Sequence, residues 1–463
     1  MVFSSLVFIS VFLPAVLLFY WLLPSTAGRN VLLLAVSLLF YAYGEPVYVF
    51  LMIASSFFNY MCALWMESGK YRRVILTAAA AVNLALLCVF KYAGFLAELI
   101  NGMTGLGLPV PQVALPVGIS FFTFQAMSYV IDVYRKEVQP QRNFMYVLLY
   151  ISLFPQLIAG PIVKYHDVEK ELVSRSCHPE EAARGIRRFI AGMGKKVLIA
   201  NYMGEIADTL FAAPLEQINI FGAWLGAAAY MLQIYFDFSG YSDMAIGMGH
   251  MFGFHFKENF RYPYGAASIR DFWRKWHISL SGWFREYLYI PLGGSRKGRV
   301  RTCINKFIVF ACTGIWHGAN VTFLFWGLFH GALLMMEEFV PFFQKENRGW
   351  KKVLGHIYVV LAVMIGFVFF RADTMSQGVS WICKMFAGLQ FDDAAMRLVL
   401  SLLTPVHLTA FAAGITASMP VMENLGKTGR LQKILWPSSL VLLLVCMLNL
   451  AGGTYNPFIY FRF

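Results

Sequence analysis

Leu6 to Leu23 reads LVFISVFLPAVLLFYWLL, eighteen residues without a charge. A run of this kind excludes a water-facing fold for its own stretch of chain. Its peptide groups must be satisfied within the segment or in a closed sheet, so in hydrocarbon it is a helix or a barrel strand. A barrel strand would alternate apolar and polar residues over about ten positions. This run is continuous and close to the roughly 20 residues that a membrane helix needs. It lacks the basic flank and small-residue cleavage site of a secretory leader, and it reads as the first membrane helix.

Comparable runs recur along the whole chain. They predict spanning or membrane-embedded helices near 6–23, 31–43, 47–65, 74–92, 113–133, 144–160, 197–212, 219–238, 303–317, 321–340, 353–370, 398–418 and 435–450. The composition agrees: 59% hydrophobic, 14% charged, mean hydropathy +0.60, against about 25% charged for a soluble domain. The expectation is an all-α polytopic membrane protein of roughly 11–13 membrane helices, with interfacial and re-entrant pieces. No internal repeat is visible and no soluble stretch is long enough to fold alone, so residues 1–463 read as one membrane domain. Seven cysteines with no CxxC pair make a disulfide framework or a zinc site unlooked-for. Those in apolar runs, such as Cys62, Cys88 and Cys446, read as small hydrophobes.

The net charge of +13 would suggest nucleic acid in a soluble protein. Here the basic residues follow the positive-inside rule, and nucleic acid is not an expected partner. Arg29, then Lys70, Arg72 and Arg73, then Arg135, Lys136 and Arg142 occupy alternate loops, while Gly44–Pro46 and Asn101–Gln112 hold no Lys or Arg. That pattern places the N-terminus outside and the basic loops in the cytoplasm of a multi-pass cell-membrane protein. The next segment, 161–196, carries eight Lys or Arg on the side that counting calls outside. The run before it contains Pro155, Gly160 and Pro161. Proline breaks helices, so 144–160 is expected to be broken or re-entrant.

The most basic stretch, 257–301, has ten Lys or Arg against three acids. Within it, DFWRKWHISLSGWFREYLYI spans Asp271–Ile290. On a wheel of about 100° per residue, Ile269, Phe272, Trp273, Trp276, Leu280, Trp283, Phe284 and Tyr287 share one arc. A single amphipathic helix follows, either an anchor in the headgroup plane or a helix lining a site, with His277 at the edge of the arc. Forty residues on, GIWHGAN places His317 between two apolar runs, close to membrane depth. An ionisable group there is costly and points to function; a histidine satisfied by a neighbouring helix is the structural alternative. Gly314 and Gly318 leave room beside it for another backbone or a substrate.

A neutral imidazole takes up and returns a proton near pH 7 without a metal. HExxH, GxSxG and the P-loop are all absent, and no metal site is expected. These absences favour direct acyl transfer, in which a base activates a hydroxyl that attacks a thioester.

The ordered set LLLAVSLLFYAYGEP, LPVGISFFTFQAMSYVIDVYR, LFPQLIAGPIVKY, YFDFSGYSDMAIGMGHMFGFHFKENFRYPY, SIRDFWRKWHISLSGWFREYLYIPLGGSRKGR and GIWHGAN resembles the membrane-bound O-acyltransferase superfamily. The likeness covers nearly the whole chain, and within that superfamily it is to the branch of the membrane subunit of bacterial alginate O-acetyltransferase. The resemblance implies a tunnel reached by a cytoplasmic donor from one side and an extracellular acceptor from the other. It implies that His317 is catalytic and that His277 assists. Trp273, Arg274, Trp276, Trp316, Asn320, Asp237, Asp243 and Asn259 are further candidates for donor or substrate contacts. Asp237 lies inside an apolar run and reads equally as a functional acid or as half of a structural ion pair. His330 reads as structural, Met248 and Met251 as packing, and His250 and His255 as solvated loop residues. No bound cofactor is expected; acyl-CoA or an acyl-carrier thioester is the implied co-substrate. A polysaccharide acceptor and an SGNH-like extracytoplasmic acyltransferase partner complete the implied set. D-alanyl transfer to teichoic acid, a non-enzymatic acyl or lipid transporter and a scaffold for a polymer synthase are the competing readings.

Overall fold

A computed structural model describes residues 2–158, 160–343, 349–389, 391–420, 430–453 and 455–459. Among these residues every regular element is a helix and no strand occurs. Each of the thirteen predicted apolar segments has a helical counterpart. Four helices are long and apolar enough to cross a membrane: Thr26–Gly44, Tyr48–Glu67, Trp350–Arg371 and Arg72–Thr104, the last with a π-turn over Cys88–Tyr92. Asp393–Leu402 and Pro405–Ala417 add a fifth if the pair, bent by 68°, is one span. Most of the remaining segments are shorter, bent or interrupted by one-turn π-helices, which is where sequence runs and uniform rods part company.

The chain packs as two compact units, Met1–Phe189 with Tyr241–Glu258, and Ile190–Gly240 with Asn259–Phe463. Both draw on one long helix, Ile220–Met251.

In the first unit the helix starts obey local chemistry. The Ser25 hydroxyl accepts from Gly28 N at 3.1 Å, and Arg29 Nε donates back to the Leu23 carbonyl at 2.9 Å. Two orphan groups at the entry to Thr26–Gly44 are thereby satisfied. Asn59 and Asn83 exchange side-chain hydrogen bonds of 3.2 and 2.8 Å between two spans, the kind of polar contact that holds helices together where apolar surface gives no preference over lipid. Outward positions such as Leu39 and Phe50 are about 70% exposed, as a lipid-facing surface requires.

The expected break in 144–160 is present. The helix Phe144–Ser152 ends at Leu153, and Phe154–Leu157 forms one further buried turn. Protein groups cover the opened backbone: Phe154 N donates to Ser37 Oγ at 3.1 Å, Gln156 Nε2 to the Tyr150 carbonyl at 2.5 Å, and Tyr150 Oη to the Val163 carbonyl at 2.8 Å. Irregular backbone survives at membrane depth only with such cover.

The second unit is built around aromatic packing, with Trp326 and Trp381 almost fully buried. Gly298–His317 lies against Val321–Phe339. A β-carbon on Gly314 would run into the Phe323 carbonyl, and one on Gly318 into the Phe323 ring. The room beside His317 is therefore filled by the neighbouring helix. It brings Trp326, one turn further along that helix, against the His317 ring at 5.1 Å.

The amphipathic helix predicted over 269–290 is not continuous. Ile269–Lys275 and Ile278–Phe284 are separate, and a π-turn follows over Arg285–Tyr289. The apolar arc was read correctly, since all eight of its residues are buried, but it faces protein and not a headgroup layer. The first short helix is held at its start by Glu337, whose buried carboxylate accepts from Ile269 N at 2.5 Å and Arg270 N at 3.0 Å. A charged acceptor in such a bond contributes about 1.5–3 kcal/mol.

Among the described residues all seven cysteines are free. Cys62 and Cys446 are buried as read, whereas Cys88 is exposed on an outward helix face.

Candidate active site

His277 occupies the break between the two short helices, at φ 43° and ψ 55°. A β-carbon-bearing residue there carries strain of about 1–3 kcal/mol that the surroundings must hold. Asn259 does so. Its backbone carbonyl accepts from Ile278 N at 2.9 Å. Its side-chain oxygen accepts from Ser279 N at 3.2 Å and Ser279 Oγ at 2.9 Å. Because that oxygen is an acceptor, the contact of 3.2 Å between it and His277 Nδ1 has Nδ1 as the donor. The tautomer follows: Nδ1 carries the proton and Nε2 carries the lone pair. Nε2 is buried and has no hydrogen-bond partner among the described residues. Burial pushes the imidazole down to about 3, so the ring is neutral across the physiological range.

His317 ends the helix Gly298–His317, where the chain turns into extended backbone at Gly318. Both imidazoles line one cavity of about 20 Å³, together with Ile234, Phe238, Trp276, Trp326, Phe367, Phe370 and Ile459. That space holds one or two water-sized groups. Its walls are apolar apart from the two imidazoles and the indoles of Trp276 and Trp326, so hydrogen bonds made inside it are strong. Trp316 bridges the pair, with ring centroids 6.2 Å from His277 and 4.9 Å from His317.

A second cavity, of about 210 Å³, adjoins the first through two indoles. Trp273 lines the larger space and lies 5.7 Å from Trp326, which lines the smaller. Arg270, Arg274, Arg285 and Lys306 border the larger cavity over a floor that includes Phe284 and Phe310. Arg270 and Lys306 reach Glu338 at 3.0 and 2.5 Å, and Lys275 pairs with Asp271 at 2.8 Å. Arg274 and Arg285 are exposed. The arrangement offers cationic edges above an apolar slot that stops beside the histidine cavity.

The remaining candidates divide. Trp276 and the two histidines share the small cavity, and Trp273 and Arg274 belong to the larger one. Asn259 acts on His277. Asp237 is buried and paired with Lys196 at 2.9 Å. Asn320 caps the helix Val321–Phe339 through Thr322 N at 3.1 Å, and its amide reaches the Asp373 carbonyl at 2.8 Å; it lines neither cavity. Asp243 belongs to the other unit, bonded to Arg188 at 2.8 Å. His250 and His255 are not simply solvated: Glu181 faces both, at 3.3 and 2.5 Å, and Glu171 lies 2.7 Å from His255. His330 is fully buried and accepts from Trp273 Nε1 at 3.3 Å. Met248 and Met251 are buried packing residues.

Sequence reasoning missed the tautomer-setting role of Asn259 with Ser279, and it missed Ile459 and Phe370. Asn320 was read as a donor or substrate contact, although an asparagine directly before an apolar run is a helix-start signal, and a cap is what it forms.

The pattern of the membrane-bound O-acyltransferase (MBOAT) family matches residues 33–372. The chain is 38% identical to the probable alginate O-acetylase AlgI of Pseudomonas putida, across the full length of both. It is 31% identical to the peptidoglycan O-acetyltransferase of Helicobacter pylori, over all of this chain and 98% of that one. It is 30% identical to the teichoic acid D-alanyltransferase of Bacillus subtilis, over 55% of this chain and 66% of that one. A multi-pass helical membrane chain with two imidazoles at one apolar cavity, matched by that pattern over most of its length, belongs to the MBOAT family and is an O-acyltransferase.

Proposed function

We propose that the protein carries an acetyl group from a cytoplasmic thioester, acetyl-CoA or an acyl carrier, to a hydroxyl of an extracytoplasmic polysaccharide. The observation that supports this most directly is the shared cavity of His277 and His317. His317 takes the proton of the acceptor hydroxyl. The resulting alkoxide attacks the thioester carbonyl, and a tetrahedral intermediate forms and collapses. The carbon–sulfur bond breaks, and the thiolate leaves with the proton that His317 held. His277 accepts, at its bare Nε2, a hydrogen bond from a neighbouring hydroxyl of the acceptor and so orients the reacting one. The thioester's phosphates lie at Arg274 and Arg285, with its pantetheine arm in the larger cavity. Arginine favours this role because its planar donor fork matches phosphate oxygens.

In this reading the basic loops, including 161–196, face the cytoplasm and the N-terminus lies outside; labelling a cysteine placed at Lys164 from the periplasmic side would refute that orientation. An SGNH-like extracytoplasmic acyltransferase is the proposed partner. The full-length likeness to polysaccharide O-acetylases favours acetyl over D-alanyl transfer. Purified protein supplied with acetyl-CoA or with a D-alanyl carrier separates the two.

General-base catalysis supplies about 10²–10⁴-fold. His317→Ala is therefore expected to lose transfer by that factor while eluting as a folded monodisperse species in detergent. A variant that transfers normally would discard the assignment.

A further inference from the structure

Lys196 and Asp237 form an ion pair that is about 98–99% buried. Such pairs are expensive to desolvate and need additional bonds to be retained. Here, besides a bond from Lys196 to Asn201 at 2.8 Å, the additional bonds go to one short segment of chain. Lys196 Nζ donates to the Pro457 carbonyl, and the second Asp237 oxygen accepts from Ile459 N at 2.8 Å. Asn201 Nδ2, which belongs to a residue that also accepts from Lys196 at 2.8 Å, reaches Asn456 Oδ1 at 3.3 Å. Tyr455 Oη donates to Asp208 at 2.6 Å. The ion pair thus pins residues 455–459 as a strap. The strap delivers one side chain, Ile459, into the wall of the cavity that His277 and His317 line. Asp237 also sits between Ile234 and Phe238, two other wall residues on the same helix.

We propose that Ile459, positioned by the Lys196–Asp237 strap, sets the length of acyl group that the enzyme transfers and holds it to two carbons. This rests on the acyl-transfer reading above. The cavity of about 20 Å³ admits a methyl and a carbonyl beside the imidazoles. A longer chain meets the Ile459 side chain or the rings of Phe367 and Phe370. The aromatic rings are packed on one another, whereas Ile459 stands on a strap held by polar bonds and is the wall residue that can be trimmed.

The test supplies radiolabelled acetyl-, propionyl- and butyryl-CoA to membrane vesicles from the producing cells, which contain the native acceptor. Label in macromolecular material is counted. A hydrophobic pocket discriminates one methylene by about 10–200-fold, so wild type is expected to prefer acetyl over propionyl by at least about tenfold. Ile459→Ala is expected to reduce that preference about tenfold and to admit butyryl. Ile459→Val, which removes one methyl group and is the variant that decides if the alanine form does not fold, should relax it about fourfold. Asp237→Asn should shift selectivity in the same direction. Unchanged selectivity in the folded Ile459 variants, with His317→Ala inactive, overturns this assignment alone. Unchanged selectivity in Asp237→Asn overturns the role of the strap. Transfer that survives in His317→Ala, or absence of transfer in wild type from both acetyl-CoA and an acetylated carrier protein, overturns the acyl-transfer reading beneath it.

Discussion

Replacing Asn259 by alanine tests the link between fold and chemistry most sharply. The Asn259 side-chain oxygen is the acceptor that keeps the proton on His277 Nδ1. Without it, a fully buried N–H would be left unsatisfied, at a cost of about 1–3 kcal/mol. The ring escapes that cost by moving its proton to Nε2, and the lone pair that faces the cavity is then lost. Since about 1.4 kcal/mol is a tenfold change in rate, kcat is expected to fall about 10- to 100-fold. Donor KM should stay close to wild type, because no residue of the larger cavity is altered. The two Ser279 contacts, at 3.2 and 2.9 Å, are also removed, so a drop in thermal midpoint should accompany the kinetic effect. Asn259→Asp keeps an acceptor oxygen and should recover most of kcat, and that recovery separates an effect on the tautomer from mere loosening. The assay is acetyl transfer in membrane vesicles over a range of donor concentrations. Wild-type kcat in a folded alanine variant would refute the argument, and so would an aspartate variant no better than alanine.

Two other outcomes follow from the geometry. Gly314→Leu forces a side chain against the Phe323 carbonyl; overpacking costs about 1–3 kcal/mol and more against backbone, so the variant should melt earlier in detergent and lose activity, whereas a wild-type melt would contradict the close helix approach. His166, outside the spanning helices, is raised to about 10 by its hydrogen bond to Asp132 and then by that to Asp167. Because its folded value lies above the ordinary value of about 6.5, the stabilisation is complete below that pH and fades as pH rises toward 10. The melting temperature should fall over that window, and His166→Gln should flatten the decline; a parallel decline in both proteins would exclude the ion pair as its source.

The helix positions and the two histidines were legible because they depend on composition over about 20 residues and on adjacency in the chain. The break at Leu153 was legible for the same reason, since Pro155 and Pro161 announce it locally. The break at Trp276–His277 was not. A helical wheel assumes an unbroken rotation, and a histidine at positive φ persists because Asn259, eighteen residues earlier in the chain, holds its ring and the two residues that follow it. Asp237 shows the same limit. Its burial was visible in the apolar run around it, but its partners, Lys196 and the Ile459 amide, could be found only in space. His250 and His255 looked like loop residues until Glu171 and Glu181 were found facing them.

Apolar runs free of charge determine, by the requirement that backbone groups be satisfied in lipid, that this chain is a bundle of membrane helices; the spacing of its motifs determines which two imidazoles are candidates for the chemistry. Tertiary structure alone decided that both rings share one small cavity, which nitrogen of His277 is bare, and that residue 459 helps to close the wall. Hydrogen-bond partners and cavity walls come from residues far apart in the chain, and their meeting depends on packing that no local pattern encodes.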